Sequence, residues 1–182
     1  MSNDNNRKKK RRNTKSRSQR NRRQKQVTTA TEPSPLQLVT GDIMTENKVK
    51  AYAIPCNIEG VINTQIGVRF RDKYPNMAAE YIRLCEAKEL KPGGVFMWKE
   101  RRDNMVIFNI GVYQDQFLTL VDPKEIESAF FEIRRLAEQE GIDSIAMPPI
   151  GAGLGALRWD SARRSLEKAF RGWNGVLYVY IK

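Results

Sequence analysis

The net positive charge of this chain is confined to one end, and that confinement limits what can fold. The 182 residues include 32 Lys and Arg against 21 Asp and Glu, a net charge of +11. Twelve of the basic residues lie within residues 1–26: Arg7, Lys8, Lys9, Lys10, Arg11, Arg12, Lys15, Arg17, Arg20, Arg22, Arg23 and Lys25. One acid, Asp4, accompanies them, so residues 27–182 carry equal numbers of each sign. In residues 1–35 only Met1 and Val27 are large and apolar. That is too little burial to offset the entropy of ordering the segment. The expectation is a disordered basic arm and linker over 1–35, with the Pro-containing stretch TTATEPSP as a spacer. A core must then come from 36–182, about 147 residues, an ordinary size for one domain.

Lys and Arg at this density neutralise phosphates and release counterions, so DNA or RNA is the expected partner of the arm. RKKKRR would also serve nuclear localisation in a eukaryotic or viral setting. Anionic lipid and mere solubilisation are the remaining uses. No Phe, Tyr or Trp interleaves with the charges. The arm therefore offers no base stacking, and its contacts should be independent of sequence. No apolar segment follows the charges as in a secretory signal, and no apolar stripe marks a membrane-surface helix. No run approaches the ~20 apolar residues that span a bilayer. An intracellular protein with no membrane partner is expected. Cys56 and Cys85 lack CxxC spacing and should be reduced and buried. Histidine is absent, which removes His-based triads, His general bases and His-containing metal sites. No metal or cofactor is expected, and any chemistry falls to carboxylates, Lys, Tyr, Cys, backbone dipoles or bound water.

Strands and helices alternate along 36–182. Leu36–Val39 reads as a strand ending in Thr40-Gly41-Asp42, and Tyr52–Cys56 as a buried strand meeting Asn57. Ile66, Phe70, Met77, Ala78, Tyr81, Ile82 and Cys85 recur at helical spacing, and Pro75 divides them into two helices. Val95–Trp98 and Met105–Ile110 read as strands joined by the charged turn KERRDN. Asp122-Pro123-Lys124-Glu125 predicts a capping box with Pro in the first turn. The helix it opens has an apolar face of Ile126, Ala129, Phe130, Ile133, Leu136 and Ala137, and Gly141 ends it. Ser144–Met147 is a short strand. A last helix opens near Trp159, capped by Asp160 or Ser161, with Ala162, Leu166, Ala169 and Phe170 inward. Val176–Ile181 closes the chain. This pattern predicts an α/β sandwich on a mixed, largely parallel sheet.

Ligands of such sheets sit outside the carboxyl ends of the strands, where three loops fall. In Gly151-Ala152-Gly153-Leu154-Gly155, alternate glycines let successive N–H groups converge on a phosphate beside a helix N-terminus. The same glycines would equally serve a plain chain reversal. Asp42 is either a helix cap or a carboxylate offered to a ligand amine. Asn57 could hold a sugar hydroxyl or satisfy its own loop. Tyr113, Gln114 and Asp115 could flank a pocket or form a solvated turn.

Taken together, LVTGDIM, IPCNIEGVINTQIGVRFRDKYP and SIAMPPIGAGLGALRWD resemble the macrodomain family over residues 36–182. The similarity is strongest to the class containing the DNA-ADP-ribose-hydrolysing antitoxins and the terminal ADP-ribose glycohydrolases. The resemblance implies a three-layer α/β/α fold with a cleft for ADP-ribose or an ADP-ribosylated substrate. It implies that Asp42 accepts from the adenine amine, that Ile43 packs by the base and that Asn57 approaches the distal ribose. Gly151, Ala152, Gly153, Leu154 and Gly155 would form the diphosphate loop. Three departures stand against the hydrolytic members: Asn63-Thr64-Gln65 replaces a Gly-x-Gly stretch, no Lys occurs in Asn109–Tyr113, and Gly155 stands where some members have Asp. A different hydrolysis would have water activated by substrate phosphate, or by Glu59 or Asp115. The expected function is ADP-ribose or nucleotide binding by a domain tethered to nucleic acid through its arm, with no catalytic residue assigned. A hydrolase removing ADP-ribose from nucleic acid or protein is the first alternative. A packaging or assembly protein with a vestigial pocket is the second.

Overall fold

The computed structural model describes residues 34–45, 48–150 and 159–181. The basic arm, nearly all of the linker and the Gly151–Gly155 loop lie outside the described residues. Six strands form one sheet: β1 (Leu36–Thr40), β2 (Ala51–Asn57), β3 (Val95–Glu100), β4 (Met105–Tyr113), β5 (Ser144–Met147) and β6 (Val176–Ile181), in the order β1-β6-β5-β2-β4-β3. Every neighbouring pair is parallel except β3 with β4. The helices are α1 (Gln65–Lys73), α2 (Pro75–Glu86), α3 (Pro123–Gln139) and α4 (Trp159–Ala169).

Alternation along the strands explains the layers. Ala51 and Ala53, Phe108 and Ile110, Ile145 and Met147, and Leu177 and Val179 bury against Ile126, Phe130, Ile133, Leu166 and Phe170 of the α3–α4 side. Tyr52, Ile54, Ile107 and Ala146 point the other way, against Phe70, Met77 and Ala78 of α1 and α2, with Tyr74 between the helices. A strand covered on both faces reads as a continuous apolar run, which is why β2 lacks polar alternation. The result is a three-layer α/β/α sandwich.

The helix ends follow from local chemistry. Tyr74 closes α1 through its N–H on the Phe70 carbonyl (2.8 Å), and Pro75 opens α2 at a position that needs no donor. In α3 the capping box is complete: Asp122 accepts from Lys124 N (2.7 Å), and Glu125 accepts from Asp122 N (3.1 Å). Asp122→Ala should lower stability by about 1 kcal/mol, read as a shifted urea midpoint at constant slope.

Three expectations are corrected. Asp160 and Ser161 lie inside α4, not at its cap. The turn between β3 and β4 is shorter than KERRDN, because Lys99 and Glu100 stay in the ladder opposite Val106 and Met105. Glu100 is buried there and accepts from Arg102, while Asn104 takes a positive φ of 50° to turn the chain. Cys56 is half-buried, whereas Cys85 is buried.

Candidate functional site

The sheet splits where β2 and β5 meet. These two strands share only the pairs Ala51–Ile145 and Tyr52–Ala146. Beyond them β2 continues alongside β4 alone, through Pro55, and β5 ends before Pro148-Pro149. The next residues, Ala53 and Met147, are already unpaired across the gap, and Pro55 and Pro148 beyond them lack the N–H that could re-form the ladder. The chain leaves β2 through α1 and α2 toward β3 and β4, and leaves β5 through α4 toward β6. Crossovers departing in opposite directions from adjacent strands open a crevice at their carboxyl ends.

The sequence-predicted residues reach this edge from separate strands. Asp42 follows β1, Asn57 ends β2, and Ile150 leads from β5 toward Gly151, Ala152, Gly153, Leu154 and Gly155, which lie outside the described residues. Ile43 is buried among the side chains of the α1–α2 face.

Asp42 does two local jobs. Its Oδ1 accepts from Met44 N (2.9 Å), capping a 3-10 turn over Ile43–Thr45. Both of its oxygens also accept from Arg69 of α1, at 2.8 and 2.6 Å. The Arg69 guanidinium, then the Met44 N–H, hold the Asp42 carboxyl below its usual range. A carboxylate accepts about four hydrogen bonds, and among the described residues Oδ2 accepts only from Arg69, which leaves a lone pair for a ligand donor. Arg69 was missed in the sequence because a charged residue on an exposed helix face carries no sign of a partner 27 positions away.

Asn57 is buried and organises its own loop. Oδ1 accepts from Glu59 N (3.1 Å) and Val61 N (3.1 Å), and Nδ2 donates to Val61 O (2.7 Å). The Tyr81 hydroxyl lies 2.7 Å from the Asn57 carbonyl and 3.1 Å from its Oδ1. It has one proton, and the shorter contact takes it. Burial, then the neighbouring Cys56 and Cys85 thiols, push the Tyr81 phenol far up, so it stays protonated. Burial likewise raises the Cys56 thiol. Gly60, at φ 80°, completes the loop, and a Cβ there would stand 3.1 Å from that of Cys85.

Thr64, part of the stretch that departs from the Gly-x-Gly pattern, is the N-cap of α1. Its Oγ1 accepts from Gly67 N (3.1 Å), and a Cβ on Gly67 would sit 2.8 Å from that oxygen. The rule that Thr before an apolar-periodic run caps a helix would have found it. Asn57, Val61, Thr64, Gly67, Asn109 and Leu118 line a small cavity open to solvent.

Beyond β4 the groups available for chemistry are few. The register slips between Cys56 and Asn57, so Asn57 pairs with Tyr113. Tyr113 is buried with the α3–α4 core, and burial raises its phenol. Asp115 accepts from Phe117 N (2.9 Å) and Thr119 N (3.2 Å), and Thr119 keeps its carboxyl low. Glu59 accepts from Gln116 N (3.0 Å). No helix of the described residues is long and apolar enough to cross a membrane.

A three-layer sandwich whose sheet parts at its carboxyl edge is common to several families of α/β domain, and comparison with known proteins identifies which one. The Macro domain profile matches residues 53–166, and the chain belongs to that family. It is 24% identical over 148 residues to a DNA ADP-ribosyl glycohydrolase of Thermus aquaticus, covering 80% of this chain and 41% of the relative. It is 24% identical over 144 residues to an ADP-ribose 1''-phosphate phosphatase of Candida albicans, covering 73% of this chain and 92% of the relative. The structure of Thermosipho africanus DarTG in complex with ADP-ribose superposes with a TM-score of 0.71 at 23% identity, over 81% of this chain and 41% of that one. The chain thus spans about two fifths of the length of the glycohydrolase relatives it matches.

Proposed function

We propose that residues 36–182 bind ADP-ribose, or a substrate carrying it, at the carboxyl edge of the sheet, and that the arm tethers the domain to nucleic acid. The observation that carries this reading is the parting of β2 from β5 beyond Tyr52 and Ala146. It places the Asn57 loop on one side of a crevice and the strand that feeds the Gly151–Gly155 segment on the other. In this reading the adenine amine donates to the remaining lone pair of Asp42, with Ile43 beside the base. The diphosphate meets the N–H groups of residues 151–155, and the distal ribose enters the cavity lined by Asn57, Thr64 and Leu118.

Binding without turnover is favoured over hydrolysis by the state of the candidate reactive groups. Tyr113 is buried and neutral, Asp115 caps its own turn with a lowered pKa, and Glu59 holds the backbone of Gln116. A poised general base has a pKa near the working pH, and Asp115 is shifted away from it. The hydrolase reading is supported by what the relatives are called, a DNA ADP-ribosyl glycohydrolase and an ADP-ribose 1''-phosphate phosphatase.

Calorimetric titration of ADP-ribose into the full chain tests the binding reading. The expected outcome is saturable binding in about the micromolar range. Asp42→Ala should weaken it roughly tenfold or more, as for one lost hydrogen bond to a charged group. Absence of binding would refute it. Incubation with an ADP-ribosylated oligonucleotide and with ADP-ribose 1''-phosphate tests hydrolysis, and release of ADP-ribose from either would replace the binding reading with the enzymatic one.

A further inference from the structure

Phe117 is 81% exposed, whereas the next most exposed large apolar side chains among the described residues reach 42%. A lone apolar residue on a loose loop would mean little, but this one is held. Asp115 accepts from the N–H of Phe117 and of Thr119. Gln116 is clamped through both of its backbone polar groups: its N–H donates to Glu59 (3.0 Å), and its carbonyl accepts from Asn63 Nδ2 (2.7 Å). Leu118 adopts φ 64°, a conformation costly for a branched side chain. It does so while packing on the core and lining the same cavity as Asn57. With Leu118 turned inward to line the cavity, its neighbour Phe117 is presented to solvent. The clamps come from Glu59 and Asn63, which flank the Asn57 loop, so the two loops form one rim.

We propose that Phe117 is a stacking platform for a nucleobase of the nucleic acid to which ADP-ribose is attached. This rests on the reading that the distal ribose occupies the Asn57 cavity, because whatever that ribose is joined to must leave past this rim. A flat, exposed phenyl ring accepts the face of any base without reading its edge. The twelve cations of residues 1–26 complement a polyanion and lack any aromatic of their own. The arm would supply charge and the rim would supply stacking, the two parts that together hold single strands without sequence preference.

The test compares free ADP-ribose, an ADP-ribosylated single-stranded oligonucleotide and an ADP-ribosylated peptide against the full-length chain and its Phe117→Ala, Phe117→Leu and Phe117→Trp variants. The readout is Kd, or kcat/KM where product forms. Because Phe117 is exposed, its variants should keep the fold, and circular dichroism checks this. Phe117→Ala and Phe117→Leu should weaken the oligonucleotide roughly 5- to 100-fold, and Phe117→Trp should retain it. Free ADP-ribose and the peptide should be unchanged. Equal oligonucleotide affinity in all four proteins would overturn the proposal, as would retention by Leu or a matching loss with the peptide, which would make Phe117 a general apolar contact. Failure of the wild type to bind free ADP-ribose would instead sink the ligand reading on which it rests.

Discussion

Removal of residues 1–26 should abolish most of the chain's affinity for nucleic acid and flatten the salt dependence of what remains. The removed segment holds all of the net charge, and the remainder is neutral. If 6 to 10 of its twelve cations meet phosphates, the intact chain should lose roughly 10³- to 10⁵-fold in affinity between about 50 and 200 mM salt. The truncated chain should show a slope near zero. Shuffling the order of residues 1–26 should change little, because phosphate contacts carry no base information, whereas replacing the twelve cations by Gln should mimic deletion. Binding titrations of single- and double-stranded oligonucleotides across that salt range decide the matter. An unchanged affinity and slope in the truncated chain would move the nucleic-acid site into the folded domain.

What could be read in the sequence divides along physical lines. Element existence was legible wherever local chemistry and tertiary burial agreed. The capping box at Asp122, the Pro75 break and the apolar face of α3 each announce themselves within one or two turns, and each is present. Boundaries were lost where burial overrode local appearance. Glu100 looks like turn chemistry, yet the antiparallel ladder keeps it in β3, and its carboxylate finds Arg102. Pro55 argues locally against a central strand. It is tolerated because the β5 side is already unpaired there, a fact of topology that no local window contains. The same limit governs the site. Asp42 and Asn57 were marked by their positions after strands, but their partners Arg69 and Tyr81 come from helices and were invisible until the layers assembled. Asn57 stood open between a sugar contact and a loop contact, and the structure fills its oxygen and one amide proton with loop partners.

Asn57→Ala should therefore destabilise the domain by about 2–4 kcal/mol, before any question of ligand arises. The substitution strands the N–H groups of Glu59 and Val61 and the carbonyl of Val61, while the Tyr81 hydroxyl keeps its bond to the residue 57 carbonyl. An unsatisfied buried group costs about 1–3 kcal/mol, and the half-open loop lets water recover part of the sum. The expected signature is a lower urea midpoint at unchanged slope and a melting temperature reduced by roughly 4–16 °C, at 2–4 °C per kcal/mol for a domain of this size. Tyr81→Phe removes one hydroxyl from the same network and should cost only about 0.5–1.5 kcal/mol. The comparison separates scaffold from ligand contact. If Asn57 acts through the loop, ADP-ribose affinity should fall in Asn57→Ala and fall less in Tyr81→Phe, in step with the loss of stability. A fully stable Asn57→Ala that no longer binds would show that the side chain meets the ligand and that its loop hydrogen bonds are dispensable. A variant destabilised as expected but binding at wild-type affinity would remove Asn57 from the ligand site altogether.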